Sequence, residues 1–156
     1  MSRRPPTAVM AAILLVFLVN SGVAVMLTRR LHGPQPAALE RRYVGVRSEL
    51  ANVARAAYVS DARWRFLEAR FAVAPTILDP GFVARDLKAR TITGFKIEEM
   101  VETAANQRGL IVLCDFKSRG GLDRFLAELG TEAHRRGVEL RVRFADAGLA
   151  LLAVGG

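Results

Sequence analysis

Between Arg3-Arg4 and Arg29-Arg30 the chain carries no charged side chain. The apolar core of that run, Ala8 to Leu27, would rise about 30 Å as a helix, close to one hydrocarbon thickness. The pattern predicts a membrane-spanning helix over 8–28 behind a short tail, 1–7. A cleaved signal peptide is the rival reading, with Gly22 and Ala24 as small residues before a cut. The run outlasts the roughly 7–15-residue core of such a signal and stops at a double arginine, which favours a retained anchor.

Beyond His32-Gly33-Pro34-Gln35-Pro36, apolar positions recur at alternating spacings of four and three: Leu39, Tyr43, Val46, Leu50, Val53, Ala57, Ser60, Trp64, Leu67 and Phe71. Only Ser60 is polar. Charged residues fill the positions between. The spacing predicts a coiled-coil stalk over 36–74, about 55 Å long at 1.5 Å per residue, with one amphipathic helix packed on its own domain as the alternative. Pro75 would end it. The seam residues are the expected partner-binding surface, for another single-span coiled-coil protein or for a second copy.

From Thr76 the period changes. Lys88 to Phe95 reads as a strand or extended segment, and Ile97, Met100, Val101, Ala104 and Ala105 as a helix stopped by Gly109. Leu110 to Phe116 is a nearly unbroken apolar strand of the kind buried on both faces. Leu122, Phe125, Leu126, Leu129 and Ala133 mark a second helix. Val138, Leu140, Val142 and Phe144 alternate with charges, so that strand should have one wet face. Asp146-Ala147-Gly148 is a turn, and Leu149 to Val154 the returning strand. Laying Gly109 on Gly137 matches Arg108 with Arg136 and Leu110 with Val138, a twice-used helix–Arg–Gly–strand unit. Region 76–156 therefore reads as a small ferredoxin-like two-layer α/β (α+β) sandwich.

Composition then narrows the chemistry. The chain has 156 residues, 23 Lys+Arg against 15 Asp+Glu, and a net charge of +8. That surplus suits anionic lipid or acidic partners; no nucleic acid is expected, because Arg and Ala enrichment is also what a GC-rich genome produces. One cysteine, Cys114, excludes an intramolecular disulfide and reads as an inert core residue. His32 and His134 lack neighbours at ligand spacing, so no metal is expected. Glu98, Glu99 and Glu102 complement a helix N-terminus. Asp115 is the leading candidate site: it precedes Lys117-Ser118-Arg119-Gly120-Gly121 at the carboxyl end of a buried strand, where open α/β sheets hold ligands. It has no second carboxylate, nucleophile–base pair or phosphate-loop spacing, so a solvated strand-to-helix connection is the expectation. Arg135, Arg136, Arg141 and Arg143 form a candidate basic docking patch, with a plain solvated face as the favoured alternative. No catalytic residue and no cofactor are expected.

A short tail, one span, a coiled-coil stalk and a small domain of repeated helix–strand units resemble PilO of type IV pilus machines and the M component of type II secretion. The likeness is one of layout. After Phe116 the chain runs straight into the next helix, where the family's repeat has a second strand. The resemblance implies a non-enzymatic single-pass inner-membrane scaffold of a pilus or secretion machine. A literal positive-inside count would put the domain in the cytoplasm; the resemblance leans towards the periplasm. A membrane-tethered module whose basic domain recognises an anionic ligand or lipid is the alternative.

Overall fold

The computed structural model describes residues 36–155, with side chains from residue 41 onward. The expected span at 8–28 lies outside them, as does the side chain of Leu39. Among the described residues no helix is long and apolar enough to cross a membrane. A division after Ala38 sets off Leu39–Gly156, the unit that carries the sheet.

Helix α1 (Pro36–Leu50) leads into β1 (Arg55–Val59), α2 (Arg65–Ala72) and β2 (Ile77–Asp79). A separate hairpin of β3 (Val83–Asp86) and β4 (Thr91–Phe95) precedes α3 (Ile97–Asn106) and β5 (Leu110–Asp115). The chain closes with α4 (Arg119–Arg135), β6 (Leu140–Asp146) and β7 (Leu149–Val154). The main sheet is mixed and has five strands in the order β2-β1-β5-β7-β6. Strands β2, β1 and β5 are parallel; β7 runs against both β5 and β6.

Alternate side chains of the central strands feed two separate cores. Ala57, Val59, Val112, Cys114, Ala150 and Leu152 pack beneath Met100 and Val101 of α3 and Leu122, Phe125 and Leu129 of α4. Ala56, Tyr58, Leu113, Leu149 and Leu151 point the other way, against Tyr43, Val46 and Leu50 of α1 and Ala69 and Val73 of α2. The fold is thus mixed α/β, as the sequence predicts. Its helices cover both faces, however, which makes three layers in place of the expected two of a ferredoxin-like sandwich.

The same fact overturns the continuous stalk over 36–74. The helix stops at Leu50 and the chain re-enters as a strand at Arg55. Ala56-Ala57-Tyr58-Val59 is an unbroken apolar run, buried throughout, and such a run suits a strand with two covered faces. Burying a large side chain is worth about 1.5–3 kcal/mol. Tyr43, Val46 and Leu50 gain that within their own domain, at 1%, 0% and 1% exposure. Ala57 and Ser60 are buried as well and Val53 half-buried, while Trp64, Leu67 and Phe71 stay exposed.

The helix–strand pairs α3–β5 and α4–β6 both form, with β5 and β6 running the same way on either side of β7. The left-handed residue that ends each helix is Arg108 in the first (φ 57°) and Gly137 in the second (φ 66°), one position away from the match in sequence. The even alternation expected along β6 is also broken. A bulge at Arg143 shifts the register between Val142 and Phe144 and turns Phe144 to the α1 side. Val142, 55% exposed, contributes little to a core.

Glycines test this packing in opposite directions. A Cβ on Gly148 would sit 2.3 Å from the Phe116 carbonyl oxygen, whereas one on Gly130, inside α4, meets nothing within 4 Å. Gly148→Ala should lower unfolding stability by about 1–3 kcal/mol through overpacking. Gly130→Ala should raise it by about 0.5–1 kcal/mol. Urea titration of the full chain followed by circular dichroism checks both signs.

Candidate functional site

Asp115 ends β5 with a fully buried side chain, at 0% exposure. Its Oδ1 accepts from Arg42 Nη2 at 2.5 Å and from Arg65 Nη1 at 3.0 Å. Its Oδ2 accepts from the hydroxyls of Tyr43 at 2.5 Å and Tyr58 at 3.1 Å. Four donors thus meet a carboxylate that offers about four lone-pair positions. The two arginines also reach the Phe116 carbonyl, at 3.3 Å from Arg42 and 2.9 Å from Arg65. The solvated connection expected at Asp115 is therefore a closed ionic network.

Sheet topology explains why these groups meet. The connection leaving β1 goes to β2 on one side, and the one leaving β5 goes past β7 to β6 on the other. The carboxyl ends of β1 and β5 form the switch point where open α/β sheets keep a ligand crevice. Here the protein's own groups fill it. Besides the Asp115 network, the Lys117 N–H donates to Asp61 Oδ1 at 3.0 Å. Ser118, a side chain well suited to cap a helix, takes the Gly121 N–H at 3.2 Å. The glycine-bearing loop is thus the first turn of α4, and its Gly121 amide is directed at Ser118.

Burial, followed by the charge of Asp115, pushes both tyrosines well above the usual phenol range. Burial by itself would lower Arg42; the charge of Asp115 and its hydrogen bond reverse that and hold it above the ordinary guanidinium value. Cys114 is raised by burial and then by Asp115, so its thiol stays protonated, in line with an inert core residue. Arg42 Nε is buried without a hydrogen-bond partner among the described residues.

The candidate docking arginines separate into two groups. Arg135 and Arg136 both close on Glu132, at 2.7 and 2.6 Å, at the end of α4. Their hydrogen bonds hold that carboxyl down at about 2. Arg141 and Arg143 instead line an open cleft of about 610 Å³ at one end of the sheet, together with Arg55 and Arg108. Arg141 is bound to Glu139 at 2.8 Å, and Arg55 lies 3.9 Å from Asp79. Arg108 and Arg143 have no acidic partner within 4.0 Å among the described residues.

Glu99 pairs with Lys96 at 3.1 Å, and Glu102 lies 3.9 Å from Arg136. Among the described residues no three His, Cys, Asp or Glu side chains gather as a metal site. Sequence reasoning missed Arg42, Tyr43, Tyr58 and Arg65 as partners of Asp115, and Arg55 and Arg108 as neighbours of Arg141. A signal for the network was available. The chain's two tyrosines both lie in apolar runs, and a buried phenol needs an acceptor.

Comparison with protein-family models, curated proteins and solved structures returned no match.

The chain has two tyrosines, both in the network, so phenolate absorbance reports on it directly. Unfolded tyrosine ionises near pH 10. With the folded values raised, stability is complete below that pH and falls as pH climbs, because only the unfolded state loses the protons. Absorbance at about 295 nm should stay flat past pH 10 and rise together with the loss of circular dichroism; an earlier, separate rise contradicts the network. Asp115→Ala should cost about 3–5 kcal/mol, as expected when one member of a buried ionic cluster is lost. Tyr58→Phe should cost about 1 kcal/mol. Denaturant titration measures both.

Proposed function

We propose that the chain is a non-enzymatic, single-pass component of the bacterial inner membrane, a scaffold that recruits an acidic partner through the arginine-lined cleft. The observation that carries this reading is the pair Arg108 and Arg143. Both are exposed on a 610 Å³ cleft, and neither has an acidic partner within reach among the described residues. Arg55 and Arg141 lie beside them as a second, already paired set. A concave surface with unneutralised guanidinium groups suits carboxylate or phosphate held by forked hydrogen bonds.

Two further points support the reading. The residue best placed for chemistry, Asp115, has its acceptor positions taken by four donors of its own chain, which leaves it poorly suited to act as a base. The charge-free run at 8–28 supplies the anchor. Assembly within a pilus or secretion machine, with the domain in the periplasm, rests on the resemblance of layout alone. That resemblance now lacks its coiled-coil element. A small anionic ligand or lipid headgroup in the same cleft is the second reading, favoured by the same arginines.

Full-length protein purified in mild detergent should retain a stoichiometric partner at low ionic strength and release it when salt shortens the screening length from about 10 Å to about 3 Å. Arg108→Glu with Arg143→Glu should abolish that association and leave the circular dichroism spectrum unchanged. Retention of a small anion by an otherwise solitary chain would move the assignment to the second reading. Turnover of a phosphate ester by the intact protein would overturn the non-enzymatic one.

A further inference from the structure

Helix α2 presents Trp64, Leu67 and Phe71 to solvent at 55%, 59% and 81% exposure. Trp64 immediately precedes the helix, and the three lie at i, i+3 and i+7, within one narrow stripe. The opposite side of α2 is satisfied, with Ala69 buried in the core beneath α1 and α2. Among the described residues the apolar stripe is thus surplus to packing. Arg63 and Arg70 flank it, exposed and with no acidic partner within 4.0 Å among the described residues. The Arg65 guanidinium stands 5.2 Å from the centroid of the Trp64 ring and is itself fixed by Asp115. The indole is therefore held at the surface by a charge that the buried network keeps in place.

We infer that this face of α2 rests on the anionic surface of the membrane in which the chain is anchored, with Trp64, Leu67 and Phe71 entering the interfacial layer and Arg63 and Arg70 meeting lipid phosphates. The inference rests on reading 8–28 as a membrane span. Residues 29–35 would then be the whole tether between span and α1, about 25 Å at full extension. The domain cannot travel far from the bilayer, so an interfacial face meets lipid at a high effective concentration. Helices α1 and α2 pack on the same side of the sheet, which puts the stripe in the layer that α1 occupies. Arg41 and Arg47 of α1, both exposed, add positive charge to that layer. Aromatic side chains interleaved with arginine are the composition of a surface-lying amphipathic helix, and each cation near an anionic surface adds about 1 kcal/mol.

Trp64 is the chain's only tryptophan and so a built-in reporter. The full chain is inserted in nanodiscs of phosphatidylcholine alone, or of phosphatidylcholine mixed in equal parts with phosphatidylglycerol. Resistance to carbonate extraction establishes the anchor independently. In the anionic discs Trp64 emission should shift to the blue, and lipid carrying a doxyl group close to its headgroup should quench it. Raising ionic strength to about 1 M, which leaves a screening length of about 3 Å, should reverse most of the shift. Phe71→Glu, at an exposed position, should abolish shift and quenching, and Arg63→Glu with Arg70→Glu should remove the difference between the two lipids. An anchored protein whose Trp64 emission is the same in both lipids and escapes the quencher overturns the inference. So does a blue shift that follows the number of chains per disc, which would identify a second copy as the occupant. Loss of the protein on carbonate extraction would instead overturn the anchor.

Discussion

A carboxylate with no access to water constrains this domain more than any other group. Asp115 lies at the end of a central strand, where an isolated charge would cost several kcal/mol in lost hydration. It is tolerable only because α1, β1 and α2 each deliver donors to it. Any other seating of either helix would leave an acceptor or a phenol unmatched at a buried position. The network therefore selects one arrangement among the many that apolar packing alone would allow. Arginine is well suited to the two charged positions. Its planar fork reaches both Asp115 and the Phe116 carbonyl from a single nitrogen, at 2.5 and 3.3 Å for Arg42, with the whole side chain 32% exposed.

The second half of the domain was legible because its signals are local. The unbroken run at Leu110–Asp115, the helical spacing from Ile97 and from Leu122, and the turn at Asp146–Gly148 each determine an element without distant help. The segment 39–71 was misread because heptad spacing and a helix–strand–helix unit share positions. Tyr43, Val46 and Leu50 do line one face of a helix, but the following apolar run belongs to a strand. The off-seam Tyr58 carried the contrary signal, an apolar residue out of phase with the stalk and in phase with β1. Three layers followed from that one change, since α1 and α2 came down onto the face that the two-layer expectation left bare.

The site was less legible than the fold. Asp115 could be singled out from its position at a strand end, but not its partners, which are brought from residues 42 to 65 by tertiary packing. The four arginines of the expected patch separate for a comparable reason. Arg135 and Arg136 find Glu132 three and four residues away on their own helix, a pairing readable from the sequence. That Arg55 and Arg108 join Arg141 and Arg143 depends on strand order, which no local pattern encodes.

The two margins of the sheet bear on how closely such chains could crowd together. Strand β2 has only three residues and Pro80 directly after it, too little backbone to template another strand. Strand β6 is longer, but Arg141 and Arg143 lie along it and the bulge at Arg143 interrupts its hydrogen-bonding ladder. Like charges and a broken ladder discourage edge-to-edge pairing between identical molecules. Molecules held close together are thereby protected against fusing into cross-β aggregates, even at densities where unguarded sheets would polymerise.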